Sequence, residues 1–90
     1  MLSLHLDDKA KRFISKRTPK HAGQISNKIA ALCENPDPPD AKGLKGSEYH
    51  RADIGEYRIL YHVFNGLLYV RLVGKRNDNE VYKQLERLEG

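Results

Sequence analysis

Two turn dipeptides, Gly55-Glu56 and Asn65-Gly66, each separate runs of residues that alternate between apolar and polar. Asn-Gly between alternating runs is a strong hairpin signal, and loops of two residues fix the pairing of the strands on either side. The chain from residue 48 onward is therefore predicted to form a three-strand antiparallel meander. The predicted cross-strand pairs are Ile54–Tyr57, Asp53–Arg58, Arg51–Leu60, Phe64–Leu67, His62–Tyr69, Leu60–Arg71 and Arg58–Val73.

This register separates the side chains of the meander into an apolar face and a charged face. The apolar face is predicted to pack against helices, and a slip of one residue would bury arginines. Its members are Ala52, Ile54, Tyr57, Ile59, Tyr61, Val63, Leu68, Val70 and Leu72. The opposite face, here called the arginine face, holds Arg51, Asp53, Arg58, Leu60, His62, Tyr69, Arg71 and Val73.

Helical patterns lie on both sides of the meander. A short strand over residues 3–6 precedes a helix capped by Asp7 or Asp8, and Thr18 with Pro19 starts a second helix that ends near residue 34. The proline-rich segment 34–47 is predicted to be a stiff extended connection. Asn77 and Glu80 have the spacing of a capping box at the start of a last helix.

These elements predict one α+β domain over residues 1–90. Two N-terminal helices pack on one face of a small, mainly antiparallel twisted sheet, which consists of the short N-terminal strand and the three-strand meander. A C-terminal helix completes the fold.

The chain is basic, with a net charge of +4 and a pI near 9.3. This charge favours RNA, DNA or an acidic protein segment as partner, although scattered surface charge that serves solubility is the alternative. No apolar run is long enough to span a bilayer, and no signal peptide is evident, so the expected compartment is the cytoplasm. The single cysteine, Cys33, lies in an apolar helical pattern that predicts an inert buried thiol.

The arginine face is the candidate site. Arg51, Arg58 and Arg71 share it by parity, and Arg76 follows the strand end, so the cluster is able to bind a phosphodiester and stabilise its transition state. Tyr82 lies about 100° around the last helix from Val81, at the margin of the apolar stripe, and is predicted to project toward the arginine face, where it is able to stack on a base or donate its phenol proton. Packing of the helix on the sheet is the alternative role for this side chain. Solvated or carboxylate-paired arginines are the alternative reading, with Asp53 opposite Arg58 as such a pair.

The four histidines do not predict a metal site, because His5, His21, His50 and His62 lack the usual ligand spacings. No metal and no cofactor is predicted. His62 opposite Tyr69 is compatible with a general base and with a packed aromatic pair.

The stretches HRADIGEYRILYHV and LLYVRLVGKRNDNEVY together resemble the RelE branch of the RelE/ParE toxin superfamily. The resemblance extends over essentially the whole chain, in family order. It implies the toxin of a type II toxin-antitoxin pair, acting as an mRNA interferase: a ribosome-dependent endoribonuclease that inhibits translation. Cleavage would proceed without metal, by attack of the ribose 2′-hydroxyl on the adjacent phosphate.

The resemblance also implies roles for single residues. Arg58 in GEYR and Arg76 in VGKR match the two arginines that bind phosphate and stabilise the transition state, and Tyr82 matches the catalytic or base-stacking tyrosine. Arg51 stands at the first of two basic positions and is expected to act as acid, base or clamp. Asp53 stands at the second, where an acid departs from the pattern. The expected RNA-binding residues are Arg71, Lys75 and Lys45, and Lys75 is also a candidate general base.

The implied partners are an acidic, DNA-binding antitoxin encoded by an adjacent gene, forming a hetero-oligomer with the toxin, and the ribosome with its mRNA. The antitoxin is expected to contact the apolar margins of the N-terminal helices and of the last helix. Two alternatives remain open: a ParE-like inhibitor of DNA gyrase, and an attenuated homologue that only binds its antitoxin. The lysines expected to help dock the ribosome are Lys9, Lys11, Lys16, Lys42 and Lys45.

Overall fold

The structure is a computed structural model that describes residues 1–89 of the chain. Its elements in chain order are β1 (Ser3–Leu6), α1 (Asp8–Ser15), α2 (Pro19–Glu34), β2 (Lys42–Gly43), β3 (His50–Ile54), β4 (Tyr57–Phe64), β5 (Leu67–Lys75) and α3 (Glu80–Glu89).

The strands form one sheet in the order β1-β5-β4-β3-β2. Strand β1 runs parallel to β5, and two hairpins join β3, β4 and β5 into the predicted meander. Asn65 and Gly66 have φ angles of 50° and 75°, the left-handed conformation that a two-residue hairpin loop requires. The predicted α+β fold class is confirmed. Strand β2 was not predicted: Lys42 and Gly43 pair with the start of β3 at the end of the proline-rich connection.

A β-bulge in β5 changes the register at the middle of the second hairpin. Tyr61 pairs with Val70, whereas the preceding residue Leu60 pairs with Leu72. Arg71 is therefore an extra residue on β5 without a direct partner on β4. The predicted pair Leu60–Arg71 is wrong.

The bulge reverses the direction of every later side chain on β5, because successive residues of a strand point to opposite faces. Leu72 moves to the arginine face and Val73 to the apolar face, so both predicted assignments are wrong. Arg58 pairs with Gly74 instead of Val73.

Each face of the sheet carries its own apolar cluster. Helices α1 and α2 cover the first face, and the cluster there includes Cys33, whose thiol pKa is raised by burial. Helix α3 covers the middle of the arginine face, where it buries Leu60 and Leu72 beneath Val81 and Leu85. The three helices thus cover both faces of one sheet.

The predicted helix cap is confirmed for α2 and wrong for α3. Thr18 Oγ1 accepts a hydrogen bond from the His21 N–H at 3.4 Å, as a cap of α2 should. The predicted capping box at Asn77 is wrong. Helix α3 begins at Glu80, and its first N–H donates to Asp78 Oδ1 at 3.0 Å.

Among the described residues, none of the helices combines the length and the apolar character required to cross a membrane.

Gly74 allows α3 to approach the sheet closely. A Cβ atom at this position would lie 3.1 Å from the Val81 Cβ, whereas a Cβ at Gly23 in α2 would meet nothing within 4 Å. We expect Gly74→Ala to lower the free energy of unfolding by about 1–2 kcal/mol through overpacking. Gly23→Ala should raise it by roughly 0.5–1 kcal/mol, because alanine favours a helix. Urea denaturation measures both changes, and a Gly74→Ala protein as stable as wild type would contradict the close contact.

Candidate functional site

Arg58 is the centre of the charged site. Its Nε and Nη2 atoms donate to the two carboxylate oxygens of Asp53 at 2.8 and 3.2 Å, which confirms the predicted pairing. Its Nη1 atom donates to the Tyr82 hydroxyl at 2.7 Å, and the guanidinium carbon lies 5.5 Å from the centroid of that ring. Three of the five guanidinium N–H groups are thereby used, which leaves one on each Nη atom for an added anion.

The fold brings these three side chains together through two packing contacts. Asp53 and Arg58 are directly opposite each other in the first hairpin, and their side chains point to the same face. Helix α3 packs its Val81 against Gly74, the residue paired with Arg58. Tyr82, the next residue, therefore projects toward the guanidinium.

The site remains cationic despite the carboxylate. Arg51 Nη1 lies 3.9 Å from Asp53 Oδ2. The hydrogen bonds from Arg58 lower the pKa of Asp53, and the charges of Arg58, Arg51 and Arg76 lower it further. The same hydrogen bonds raise the pKa of Arg58. Three guanidinium groups against one carboxylate leave a charge of +2, so the site attracts a phosphodiester at neutral pH.

Arg76 lies in the turn that follows β5, at the same end of the sheet. Its backbone N–H donates to the Glu56 carbonyl oxygen in the β3–β4 turn at 2.9 Å, which ties the two turns together. The Arg76 side chain is exposed and contributes to the electrostatic field at Asp53. The structure thus brings Arg51, Asp53, Arg58 and Tyr82 together, here called the Arg58 group, with the backbone of Arg76 at the same end of the sheet.

Arg71 lies apart from this group. As the bulged residue it reaches toward β1, where its Nη1 donates to an oxygen of Asp7, and this hydrogen bond raises the arginine pKa. Asp7 occupies the cap position of α1 but makes no cap hydrogen bond with its side chain. Arg71 therefore pairs with Asp7 rather than with the Arg58 group, because it lies on β5 beside β1, away from Arg58 and Arg51 on β4 and β3.

The two candidate lysines occupy different surfaces. Lys45 lines a groove of ≈ 510 Å³ beside Tyr82, between Leu44 and Leu85. Lys75 pairs with Tyr57 at the strand end and lines a cavity on the other side of the sheet. Lys45 thus lies near Tyr82 of the Arg58 group. Lys75 lies on the other side of the sheet, in the cavity that Arg76 also lines.

His62 is packed between aromatic rings. Its ring stacks on Tyr69 with a centroid separation of 5.2 Å and meets Tyr49 edge-on at 4.8 Å. It is four residues from Arg58 along β4, which places it roughly 13 Å away. The structure therefore favours the packed aromatic pair over a general base. Within residues 1–89, no three His, Cys, Asp or Glu side chains are grouped so that they could hold a metal ion.

Sequence reasoning missed Arg17. This residue follows α1, and its side chain lines the same cavity as Lys75 and Arg76. The sequence places Arg17 at helical spacing with Ala10, Phe13 and Ile14, but this spacing does not predict a cavity that the helix end forms with the turns of the sheet.

Comparison with known proteins places the fold in context. The model of the family described as ParE toxin of type II toxin-antitoxin system, parDE, matches residues 7–80. No curated protein gives a sequence match to the chain.

Solved structures with the same fold include RelE toxins. An E. coli RelE mutant in the free state has a TM-score of 0.80 at 23% identity, with 97% of each chain covered. The RelE–RelB complex of the archaeon Pyrococcus horikoshii gives 0.76 at 18% identity, covering 86% of this chain and 97% of that one. The intact E. coli RelBE toxin-antitoxin complex gives 0.73 at 23% identity, covering 86% and 99%.

The ion pair of Asp53 makes a prediction about stability and pH. Because the hydrogen bonds from Arg58 hold the pKa of Asp53 in the folded protein below its ordinary value of 3.8, the unfolded chain binds the proton first as the pH falls. The stabilisation is complete well above pH 3.8 and is lost as the pH falls through the folded-state pKa. Asp53→Asn should therefore be less stable than wild type near pH 6, by a margin that shrinks below pH 4.

Urea denaturation between pH 6 and pH 3 measures this margin. Asp37→Asn, at an exposed carboxyl away from Arg58 and Asp53, is the control. Its free energy of unfolding should differ from that of wild type by nearly the same amount at every pH. If Asp53→Asn is less stable than wild type by the same amount from pH 6 to pH 3, the ionised Asp53 carboxylate does not stabilise the protein through its pair with Arg58.

Proposed function

Since this chain belongs to the ParE toxin family of type II toxin-antitoxin systems, we propose that it is a toxin that cleaves messenger RNA on the ribosome in the cytoplasm. One observation carries this proposal. Arg58 is held by Asp53 and Tyr82 with two N–H groups left free, beside Arg51 and Arg76. A rigid, cationic group of this kind is suited to the charge that develops on a phosphodiester during cleavage.

The proposed reaction is a transesterification within the RNA. The ribose 2′-oxygen forms a bond to phosphorus, the bond to the 5′-oxygen breaks, and a 2′,3′-cyclic phosphate results. The proton of the 2′-hydroxyl passes to solvent water as the nucleophile attacks, and the departing 5′-oxygen takes up a proton. Arg58 and Arg76 stabilise the additional negative charge on the pentavalent phosphorus.

Tyr82 is placed to serve the departing oxygen. Its hydroxyl oxygen accepts a hydrogen bond from Arg58, so its own O–H proton is free to be donated elsewhere. Arg51 acts as a clamp, because a guanidinium stays protonated. The contribution of this chain is thus charge stabilisation and proton donation. Asp53 is a weak base because Arg58 lowers its pKa.

Arg76→Ala tests the proposal with little risk to the fold, because the side chain is exposed. We expect cleavage of ribosome-bound mRNA to fall by roughly 100-fold or more, the usual cost of removing a transition-state donor. Arg12→Ala, at an exposed arginine of α1, should cut like wild type. Primer extension on translating ribosomes measures the cuts. Normal cutting by Arg76→Ala would remove that arginine from the mechanism.

Inhibition of DNA gyrase is the second candidate, and the matched family model favours it because that family is the ParE type. A supercoiling assay with purified gyrase separates the two activities. Inhibition of gyrase without mRNA cleavage would replace the nuclease proposal, and the absence of both would leave an attenuated homologue that only binds its antitoxin.

An antitoxin is the proposed protein partner, because two of the similar solved structures are RelE toxins in complex with RelB or with their antitoxin. The structure offers an apolar groove between β1, α1 and α2, in agreement with the expected contact at the N-terminal helices. Strand β1 is the edge of the sheet on that side. The apolar residues that line the groove are Leu4, Leu6, Ile14, Ile29 and Ala30.

Two neighbouring alanines of α2 test this contact. Both are exposed, but Ala30 lines the groove and Ala31 does not. With the protein encoded by the adjacent gene, we expect Ala30→Glu to weaken binding on the order of tenfold or more, because it introduces an unpaired charge into an apolar contact. Ala31→Glu should change it little. Calorimetry measures both, and equal effects would place the antitoxin elsewhere.

A further inference from the structure

A second basic cavity lies around the end of the sheet from the Arg58 group. It has a volume of ≈ 420 Å³ and is lined by Arg17, Lys75 and Arg76 together with Tyr57 and Glu56. A water molecule takes about 30 Å³ in the liquid, so the cavity holds a phosphate group with its surrounding water. Three cations in one cavity indicate an anionic ligand.

Arg17 is held in position by contacts that leave its terminal nitrogens available. Its Nε donates to the Phe13 carbonyl oxygen at 3.1 Å, and its guanidinium carbon lies 4.2 Å from the centre of the Phe13 ring. These contacts reduce the freedom that the side chain would lose on binding an anion.

Glu56 does not neutralise the cavity. Its side chain is 77% exposed, and one carboxylate oxygen lies 3.9 Å from His21 Nδ1, on the side of α2. The residues that line the cavity thus sum to a charge of +2, while Asp78 and Glu80 line the adjoining cavity on the other side of Arg17 and Lys75.

Arg76 connects this cavity with the Arg58 group. It lines the cavity, and its charge also acts on Asp53. Basic side chains therefore follow one another around the end of the sheet, from Arg58 through Arg76 to Lys75 and Arg17. A strand of RNA has phosphates at regular intervals and fits such a surface better than a single free anion.

We propose that the Arg17 cavity binds the phosphate next to the one held at Arg58, on the same single strand of RNA. The inference rests on the proposed function, because it assumes RNA at the Arg58 group. Arg17 is a binding residue in this arrangement, and Lys75 contributes to the same subsite.

RNA length tests the subsite. The probes are a 2′-O-methyl dinucleotide with one phosphodiester and the corresponding trinucleotide with two, neither of which can be cleaved. Wild type should bind the trinucleotide on the order of tenfold more tightly, since the added phosphate makes a charge-assisted hydrogen bond. Arg17→Gln should lose that gain, so that it binds the trinucleotide and the dinucleotide with the same affinity.

Salt dependence gives a second readout. The slope of log affinity against log salt for the trinucleotide should become about 0.7 shallower in Arg17→Gln, the value for one lost phosphate contact on a single strand. Arg12→Gln, at an exposed arginine outside the cavity, should change neither the slope nor the gain with length. Should Arg17→Gln unfold, Lys75→Gln at the exposed strand end is expected to reduce the gain instead.

Arg58→Gln separates the failure of this inference from that of the proposed function. It should weaken both probes by the same factor. Unchanged binding by Arg58→Gln would count against RNA at the central site. Weakening by Arg58→Gln combined with a full gain with length in both Arg17→Gln and Lys75→Gln would overturn the second subsite alone.

Discussion

The bulge at Arg71 is the constraint on which the site depends. By inserting one residue into β5, it turns Leu72 toward α3 and Val73 toward the other two helices. Leu72 and Leu60 then give α3 an apolar floor, and Gly74 lets that helix come close enough for Tyr82 to reach Arg58. With a regular strand, the charged Arg71 would lie beneath the helix, where burial without a partner is costly. At the bulge, Arg71 instead donates to Asp7 through Nη1, while its Nε is buried without a hydrogen-bond partner.

Asp53 has two opposing effects at the centre of the site: it orients the Arg58 guanidinium, and it weakens the attraction of the site for RNA. Its two hydrogen bonds fix the guanidinium of Arg58 in one plane, so less side-chain freedom is lost when a phosphate binds. The same carboxylate removes one of three positive charges from the field that draws RNA to the site. Arg51 and Arg76 keep the field positive. A chain with an acid here is therefore well ordered before it meets its substrate, at some cost in long-range attraction.

Local rules predicted the parts of this molecule that local chemistry determines. The two-residue turn predicted the Asp53–Arg58 pair, and the helical angle predicted that Tyr82 projects toward the arginine face, because hairpin register and helical angle follow from spacing alone. Those rules failed at Arg71, since a bulge depends on what packs on each face rather than on the strand itself. They also failed at Asn77, where the turn extends three residues before α3 begins. The role of Arg17 was not predicted, because the cavity between the end of α1 and the hairpin turn forms only when the whole chain is folded.

The most direct test of the central claim is a crystal structure of the protein with a short RNA that carries a 2′-O-methyl group at the cleavage position. The account predicts that phosphate oxygens at this position accept hydrogen bonds from the free Nη groups of Arg58 and from Arg76, with the Tyr82 hydroxyl facing the 5′-oxygen. A phosphate held at Arg71 or along α1, with Arg58 bonded only to Asp53 and Tyr82, would contradict it.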